Sequence, residues 1–478
     1  MGWSRLDTLL LGTLVAAAAA LRLPFLDHPP GLVFDEIFYA QNACLLVAGP
    51  GVCGIAEPLS NAHPPLGQWL IASGIAVFGY TEFGWRIAAA LTGIVTVAVL
   101  YVLARRLLTS VGGTAAAIGA AAAAGLLALD FLQLVHSRVA MLDVFLTLFV
   151  LAAMLFVVLD RDRQRDKPST GLARWALGRP WRLAAGLAMG AAVAVKWSGA
   201  FAAIVMVGFV VVSEIAARRD GRSLGAMIQV AFREEGLRTA ILLGLVPAAV
   251  YVASYLGVEP GTLIGLPWQE GTFWHGVARH QLALARFYVG LEGHHPYESP
   301  AWSWLLLKRP VAYWFAADGV YREVMALGNP AAWWPAVVAA IGLTLGWLRR
   351  GARVFAPEAI VVVGVAATYV PWLVVGATWN GLLWYILPTI PFLYLGLGLL
   401  AARAWGSLPG RVLAGVAGVV VVAAFLVYWP LLVAAPLSPD EWQRRMLFTD
   451  CDRPGAPSMT VPDANTSSGL PPDGWCWI

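Results

Sequence analysis

The sequence predicts an all-α polytopic membrane protein with about eleven transmembrane helices. Of its 478 residues, 59% are hydrophobic and only 13% are charged, whereas roughly a quarter of the residues in an ordinary soluble domain are charged. The apolar residues fall into runs of about 20, the length that crosses a bilayer as a helix, and short charged clusters separate these runs. A soluble enzyme of this length would need a charged surface, so the composition excludes that class.

Eleven apolar runs can be placed between the charged clusters. They cover residues about 6–24, 84–104, 113–129, 142–159, 183–195, 200–217, 239–255, 330–350, 356–377, 382–402 and 411–434. The first run lacks a convincing small-residue cleavage site and is predicted to be a true span instead of a signal peptide. Residues 1–435 then form one integral membrane domain with outer loops at about 25–83 and 257–328, and residues 436–478 form a tail.

The basic clusters predict the topology, because Lys and Arg concentrate on the cytoplasmic side. If the N-terminus is cytoplasmic, every basic cluster falls on the cytoplasmic side. One span too many or too few would move the later clusters to the opposite side. These clusters are Arg105-Arg106, residues 161–167, Arg218-Arg219, Arg349-Arg350 and the pair Arg403 and Arg411. This alternation of sides, or parity, places both long loops and the C-terminal tail on the outer side of the cell (plasma) membrane. The net charge of +4 does not indicate nucleic acid, because the basic residues form no single face.

The four cysteines agree with this topology. Cys44 and Cys53 fall in the first outer loop, and Cys451 and Cys476 fall in the outer tail. An even number of cysteines on the oxidising side favours two disulfides, Cys44 with Cys53 and Cys451 with Cys476. The sequence alone permits three pairings, and four unpaired thiols are the alternative.

Two adjacent carboxylates, Asp35 and Glu36 in "LVFDEIFYAQ", follow the first span. An ionisable group at membrane depth is costly and is usually retained for a function. Neighbouring residues on a helix point about 100° apart, so the two acids are expected to have different roles. One would be a general base, and the other would bind substrate or orient a neighbour. The alternative is a pair of acids that stabilise the start of an interfacial helix.

Other polar residues are predicted on the same outer side. His63 is held at the interface by the Pro-Pro pair that follows it, although a simple satisfied polar residue is the alternative. In "HSRVAMLDVF", Arg138 offers a cation close to the outer surface. Asp143 comes seven residues after His136 and is predicted to share its helix face. A buried ion pair of Arg138 with Asp143 is the alternative.

Lys196 lies in an otherwise apolar span, about 21 Å of helix from the inner end. It either extends to the interface or joins Arg138 in holding a lipid-linked phosphate. The long outer connection contains "GHHPYESPAWSWLLLKRPVAYWF", which has the aromatic content of an interfacial belt. His295 and Tyr297 are candidates there for binding or orienting substrate, and Arg309 is a third candidate for the phosphate.

The sequence contains no metal-ligand spacing, Walker loop or G-x-S-x-G elbow. Asp160-Arg161-Asp162 matches the D-x-D pattern with which many nucleotide-sugar enzymes hold a metal. The parity places this pattern inside among arginines, where a solvated charge run is expected. Neither a metal nor a cofactor is therefore predicted.

Eight motifs occur in order across nearly the whole chain. They are "FDEIFYAQ", "HPPLGQWLIA", "FGWR", "SRVAMLD", "VKWSGAF", "HPYESPAWSWLLLKRP", "REVMALGNPAAWWPA" and "GWCWI". As an ordered set they resemble the actinobacterial protein O-mannosyltransferases. The resemblance implies a GT-C glycosyltransferase fold, usually of eleven spans, with an extracytoplasmic active site. It also implies transfer of mannose from polyprenyl-phosphate-mannose, a substrate and not a cofactor, to Ser or Thr of exported proteins, with inversion and without a metal.

The resemblance also assigns roles to residues. It makes Asp35 the general base and lets Glu36 bind the acceptor or order the site, and it matches Arg138 and Asp143 to the Arg and Asp after the third span. Gln68 stands where the family commonly has Lys, and the segment from about 380 to 384 lacks an expected Arg. The donor phosphate would therefore depend more on Arg138, Lys196 or Arg309.

Alternative functions and partners stay open at this point. A GT-C transferase acting on a lipid or a cell-wall glycan would share the acid and the cations. A transporter is a more remote alternative, because it would carry charges near the mid-plane and an internal repeat. The expected partners are the lipid-linked donor, Ser/Thr-containing exported polypeptides and membrane lipid, with a place beside the protein export channel left open.

Overall fold

A computed structural model describes residues 2–60, 62–166, 178–219, 221–258, 266, 268–290, 297–375 and 381–446. Within these ranges the chain is predominantly helical. In chain order the helices are α1 (Arg5–Arg22), α2 (Glu36–Leu45), α3 (Pro50–Cys53), α4 (Leu66–Phe78), α5 (Glu82–Leu107), α6 (Gly113–Ala128), α7 (Phe131–Arg138), α8 (Leu142–Asp166), α9 (Pro180–Val195), α10 (Gly199–Ala216), α11 (Leu224–Ala253), α12 (Phe273–Val289), α13 (Pro330–Arg349), α14 (Pro357–Thr368), α15 (Val370–Val375), α16 (Ile390–Ala404), α17 (Leu408–Leu432) and α18 (Pro439–Gln443). Two 3-10 segments, Ala301–Leu306 and Leu383–Thr389, precede β1 and α16 respectively.

Eight helical segments in the described ranges are long and apolar enough to cross a membrane. They are α5, α8, α10, α11, α13, α14 with α15, the second 3-10 segment with α16, and α17. The pair α6 and α7, bent by 57°, adds a ninth if it is one span. Helices α1 and α9 occupy the positions of the first and fifth predicted spans. The multi-span helical membrane class is confirmed, and the number of eleven spans stays a prediction.

The predicted start of the seventh span is wrong. The sequence predicts a span over residues 239–255 after a polar connection, but α11 begins at Leu224. Its charged stretch is part of the helix because Glu235 is buried and pairs with Arg182 at 3.2 Å and Arg238 at 2.9 Å. These ion pairs neutralise charges that, taken from the sequence alone, are typical of a solvated loop.

The expectation of a solvated charge run at Asp160 is also wrong. Asp160 is buried and pairs with Arg179 at 2.9 Å and with Arg182 at 3.0 Å. Arg182 further pairs with Glu214. One network of ion pairs thus joins the end of α8, the start of α9, the end of α10 and the charged stretch of α11.

A β-hairpin, which no sequence pattern predicts, lies in the long connection between α11 and α13. Strands β1 (Val311–Ala317) and β2 (Tyr321–Ala326) pair antiparallel, and Gly319 takes a φ of +81° in the turn. Such a φ is readily adopted only by glycine. Residue Leu437, after α17, exchanges backbone hydrogen bonds with Tyr321. The hairpin therefore holds the start of the C-terminal segment.

Close helix packing places α9, whose end carries Lys196. Helix α9 packs against α8 on one side and α11 on the other. A Cβ at Gly186 would clash with the backbone of Leu242, and one at Gly190 would lie 2.8 Å from the backbone of Pro247. Small residues four apart are a usual way for membrane helices to approach closely.

Candidate active site

Asp35 lies at the N-terminal end of α2, directly after Phe34, which takes a left-handed φ of +50°. The Phe34 ring stacks on Tyr313 with centroids 4.4 Å apart. The Asp35 backbone carbonyl accepts hydrogen bonds of 2.9 Å from the N–H groups of Phe38 and Tyr39. Its carboxylate Oδ2 accepts a bond of 3.2 Å from the Tyr39 hydroxyl, whereas Oδ1 accepts none from the residues that the structure describes. Asp35 is partly exposed, so Oδ1 is available to a ligand.

Glu36, the next residue, points the other way and is fully buried. Its two oxygens accept hydrogen bonds of 2.9 Å from Nε and Nη2 of Arg86. They also accept bonds of 2.8 Å from the backbone N–H groups of Val33 and Ala140. With four donors around it, the Glu36 carboxylate fixes the start of α2 and so orients Asp35. Of the two roles expected for Glu36, this geometry favours ordering the site over binding the acceptor.

Arg86 is a site residue that the sequence analysis did not single out. Besides Glu36 it donates to the carbonyl oxygens of Leu26, Pro29 and Gly31, at 3.1, 2.9 and 2.8 Å. It therefore fastens the segment that leads into α2. The available signal was a lone Arg inside the apolar run 84–104, because a buried cation in a membrane span needs partners.

Arg138 is directed away from Asp35. Its Nη1 donates to the carbonyl oxygens of Leu21, Arg22 and Pro24, the shortest bond being 2.8 Å, and its Nη2 donates to Phe25 at 2.8 Å. These carbonyls belong to the end of α1 and the turn after it, where helix carbonyls lack intrahelical donors. Both Nη atoms of Arg138 therefore bind backbone carbonyls at the end of α1, and this disfavours Arg138 as the phosphate ligand.

Lys196 and Asp143 form a buried ion pair. The Lys196 ammonium donates to both carboxylate oxygens of Asp143 at 3.0 Å, and it lies 4.8 Å from the centroid of the Tyr385 ring. Lys196 follows the last residue of α9, and Asp143 is in the first turn of α8. The alternative of a buried ion pair between Arg138 and Asp143 is wrong, because Asp143 pairs with Lys196 and Arg138 donates to backbone carbonyls.

The predicted common helix face of His136 and Asp143 is wrong. His136 is on α7, which ends at Arg138, and Asp143 is on α8, which begins after the break at residues 139–141. His136 instead contacts the hydroxyl of Tyr313 through Nε2 at 2.8 Å. The seven-residue spacing gave a false signal because the helix is interrupted there.

His63 lies between two tyrosine hydroxyls. Its Nε2 is 3.1 Å from the Tyr39 hydroxyl and its Nδ1 is 3.2 Å from the Tyr288 hydroxyl. Tyr288 also donates to the carbonyl of Ala62 at 3.0 Å, and its ring stacks on Trp197. The structure therefore brings His63 to Asp35 through Tyr39. The signal for Tyr39 was its position four residues after Asp35, which places both on one helix face.

The electrostatics of Asp35 and His63 suit proton transfer. Burial raises the pKa of Asp35 to about 6, although Lys196 and the Tyr39 hydrogen bond lower it and Asp143 raises it. A base with a pKa near the working pH is effective in catalysis. Burial, reinforced by the positive charge of Lys196, holds the pKa of His63 well below its usual range. His63 is thus neutral at pH 7, with one ring nitrogen as donor and one as acceptor.

The remaining predicted residues lie away from α2 or outside the described ranges. Tyr297 is buried beside the hairpin, where burial and the charge of Glu323 raise its pKa and Arg309 lowers it. Arg309, half-buried, therefore lies near Tyr297. His295 lies outside the described residues, as does position 380. Trp384 is at the site, with its ring centroid 5.2 Å from that of Phe34.

The predicted disulfide between Cys44 and Cys53 is present and joins α2 to α3. Cys451 and Cys476 lie outside the described residues. Gln68, where the resembled family commonly has Lys, lies in the first turn of α4. Within the described part of the chain, no group of three or more His, Cys, Asp or Glu side chains is arranged to hold a metal ion.

Comparison with known proteins relates this geometry to a family. Family profiles described as "Dolichyl-phosphate-mannose-protein mannosyltransferase" and "C-terminal four TMM region of protein-O-mannosyltransferase" match residues 61–256 and 273–451. A polyprenol-phosphate-mannose protein mannosyltransferase of Mycobacterium tuberculosis is 30% identical, over 92% of this chain and 90% of that protein. The chain belongs to the protein mannosyltransferase family. It is therefore a glycosyltransferase, as the resemblance implied.

Further relatives support the fold of this protein mannosyltransferase. The Corynebacterium glutamicum polyprenol-phosphate-mannose protein mannosyltransferase is 28% identical over 93% of this chain and 94% of that protein. The Saccharomyces cerevisiae Pmt1-Pmt2 complex bound to the sugar donor matches with a TM-score of 0.72 at 16% identity, over 94% of this chain and 92% of that chain. ArnT from Cupriavidus metallidurans matches with a TM-score of 0.51 at 18% identity, over 84% and 61% of the two chains. The predicted GT-C fold is confirmed.

Proposed function

We propose that this protein mannosyltransferase moves mannose from polyprenol-phosphate-mannose to Ser or Thr hydroxyls of exported polypeptides, with Asp35 as general base. The names of the mycobacterial and corynebacterial relatives include this donor and a protein acceptor. The observation that carries the proposal is the Asp35 carboxylate. Its Oδ2 is held by Tyr39, and no side chain in the described ranges bonds its Oδ1. An acceptor hydroxyl can therefore approach Oδ1.

The reaction needs only one base from the protein. As the hydroxyl oxygen forms a bond to the anomeric carbon, its proton passes to Asp35. The bond between that carbon and the phosphate oxygen breaks, and the electron pair stays on the phosphate. The protein supplies no nucleophile in this step, so the incoming and leaving oxygens occupy opposite faces of the sugar carbon. Inversion at this carbon follows.

Lys196 is the cation that best suits the leaving phosphate. Two of its three N–H donors are directed at Asp143, which fixes the ammonium, and its charge acts on Asp35. A fixed positive charge at a site of developing negative charge stabilises the transition state without reorganisation. We therefore propose a metal-independent transfer in which Lys196 contacts the phosphate, with Arg309 as a further candidate.

The site is proposed to face the outside of the cell, with the N-terminus inside and the tail outside. The Cys44–Cys53 disulfide supports this orientation, because disulfides persist on the oxidising side of a membrane. Exported polypeptides emerge on this side, where the enzyme would work beside membrane lipid and close to the export channel.

The test is transfer of labelled mannose in isolated membranes, with a Ser/Thr peptide and lipid acceptors offered together. Asp35→Asn should abolish labelling of the peptide. Asp318→Asn is the matched control, because Asp318 is exposed and pairs with Arg322 on the outer hairpin. Near-normal peptide labelling by Asp35→Asn would overturn the assignment of the base. Labelling of lipid without peptide would favour the alternative of a lipid or glycan acceptor.

A further inference from the structure

A continuous line of hydrogen bonds leads away from Asp35. It passes from Asp35 Oδ2 to the Tyr39 hydroxyl at 3.2 Å, to His63 Nε2 at 3.1 Å, and from His63 Nδ1 to the Tyr288 hydroxyl at 3.2 Å. Tyr39 is buried, His63 is half-buried, and Tyr288 is 39% exposed. The line therefore begins at the proposed base and ends at the hydroxyl of a partly exposed residue.

We propose that Tyr39, His63 and Tyr288 carry the proton that Asp35 takes from the acceptor out to solvent. The inference rests on the proposed function, in which Asp35 is the base. It deepens that function, because a base must lose its proton before the next turnover. The acceptor approaches Oδ1, so a bound acceptor and donor cover that oxygen. The opposite oxygen, Oδ2, faces Tyr39. Once the product has left Oδ1, rotation of the carboxyl group about its Cβ–Cγ bond turns the protonated oxygen towards Tyr39, and the relay starts from this position.

The hydrogen-bond pattern permits two complete arrangements that differ by one proton. With Asp35 ionised, Tyr39 donates to Asp35, His63 donates to Tyr39 through Nε2, and Tyr288 donates to His63 Nδ1. With Asp35 protonated on Oδ2, Asp35 donates to the Tyr39 hydroxyl, Tyr39 donates to His63 Nε2, and His63 Nδ1 donates to the Tyr288 hydroxyl. Tyr288 then donates to the carbonyl of Ala62, 3.0 Å away. Both arrangements leave every donor in the line with an acceptor.

The proton balance of the relay closes in one shift. The Asp35 proton moves to Tyr39, the Tyr39 proton moves to His63 Nε2, and the His63 Nδ1 proton moves to Tyr288. The Tyr288 hydroxyl releases its original proton to water. The line returns to the arrangement with ionised Asp35, and no heavy-atom bond is made or broken.

The surroundings keep His63 neutral, as such a relay requires. The titratable and charged groups around it are Tyr39 and Asp35 at α2, Tyr288 at α12, and Lys196 at the end of α9 with its partner Asp143 at α8. Burial and the charge of Lys196 hold the pKa of His63 low. A neutral imidazole can accept on one nitrogen while it donates from the other.

Two substitutions separate proton transfer from simple positioning. His63→Gln keeps an amide donor and a carbonyl acceptor for Tyr39 and Tyr288, but an amide cannot pass a proton from one to the other. Tyr288→Phe keeps the ring that stacks on Trp197 and removes only the hydroxyl. Tyr369→Phe is the matched control, since its hydroxyl donates to the carbonyl of Ala301 at 2.8 Å and is no part of the line.

The experiment measures kcat and KM of the purified full-length enzyme in lipid nanodiscs, with polyprenyl-phosphate-mannose and a Ser/Thr peptide. His63→Gln and Tyr288→Phe should each lower kcat by about a hundredfold, the low end for proton-transfer steps. KM should not rise, because the slowed step follows the sugar transfer. Added imidazole should restore part of the kcat of His63→Ala, because it can replace the missing ring. Tyr369→Phe should behave as wild type.

Wild-type kcat in His63→Gln, or in Tyr288→Phe if the first variant fails to fold, would overturn the relay. A second result would also overturn the relay: His63→Gln lowers kcat and raises KM, and imidazole does not restore the kcat of His63→Ala. His63 would then only position its neighbours. Asp35→Asn distinguishes this failure from failure of the proposed function. If Asp35→Asn is active, Asp35 is not the base and the proposed function fails. If Asp35→Asn is inactive and His63→Gln is active, only the proposed relay fails.

Discussion

The hydrogen bond from Tyr39 to Asp35 should set the pH at which the enzyme loses activity in acid. The Tyr39 hydroxyl donates to Asp35 Oδ2 at 3.2 Å, and this hydrogen bond is stronger to the ionised carboxylate than to the neutral carboxyl group. This bond stabilises the ionised base, and its loss in Tyr39→Phe should raise the pKa of Asp35. Tyr39→Phe keeps the buried ring, so the change is confined to one hydroxyl.

The size of the effect follows from the strength of such a bond. A hydrogen bond to a charged group contributes about 1.5 kcal/mol, which corresponds to about one pH unit in the position of a titration. Burial already raises the pKa of Asp35 to about 6, so the midpoint of the acid limb should move from about pH 6 to about pH 7. At pH 6 the ionised fraction then falls about fivefold, from about one half to about one tenth, while at pH 8 it hardly changes.

The assay is the pH dependence of kcat/KM between about pH 5 and pH 8.5, which reports the essential base of the free enzyme. Tyr369→Phe is the control and should keep the wild-type midpoint, because the Tyr369 hydroxyl donates to the carbonyl of Ala301 and not to Asp35. A midpoint of Tyr39→Phe that stays at the wild-type pH, or moves to lower pH, would refute the reasoning. Loss of the proposed relay in the same variant is a separate effect, and it is measured as a fall in kcat.

Three further predictions concern the groups around Asp35. Glu36→Gln should lower the free energy of unfolding by about 3–5 kcal/mol because it leaves Arg86 buried without its charge partner; denaturant unfolding checks this, and wild-type stability would contradict it. Lys196→Met should lower kcat by about a hundredfold if the ammonium stabilises the leaving phosphate, and Asp143→Asn, which keeps the cation, should lower it less; equal losses would speak against that role. Cys44→Ser should cost about 2–3 kcal/mol of stability by the chain-entropy estimate for a loop of this length, measured by denaturant unfolding, and wild-type stability would contradict this estimate.

The helical framework could be predicted from the sequence because its signals are local. Apolar length and charged boundaries place α5, α6 and α13 within a few residues of their observed bounds. The start of α11 could not be predicted in this way, because its charged stretch is neutralised by Arg182 from another helix. The hairpin at residues 311–326 was missed because its aromatic content is equally typical of an interfacial belt.

The candidate site was predictable where chemistry is local and unpredictable where it depends on tertiary contacts. Asp35 and Glu36 stand out because adjacent acids are rare in an apolar segment, and helix geometry separates their directions. The partner of Glu36 lies 50 residues away, and no spacing indicates it. Arg138 and Lys196 carry the same charge at similar predicted depth, but only the structure distinguishes the one that binds helix carbonyls from the one that pairs with Asp143.

The pairing of charges explains how two neighbouring acids acquire different chemistry. Arg86 neutralises Glu36 through two hydrogen bonds, and Lys196 binds both oxygens of Asp143. Within the described residues, each of these cations thus has a carboxylate partner other than Asp35. If Lys196 were free to bind Asp35 directly, the base would be held ionised and would accept a proton poorly. Asp143 therefore holds Lys196 at the site, as its proposed role at the phosphate requires, while Asp35 retains a pKa from which it can accept a proton and lose it again.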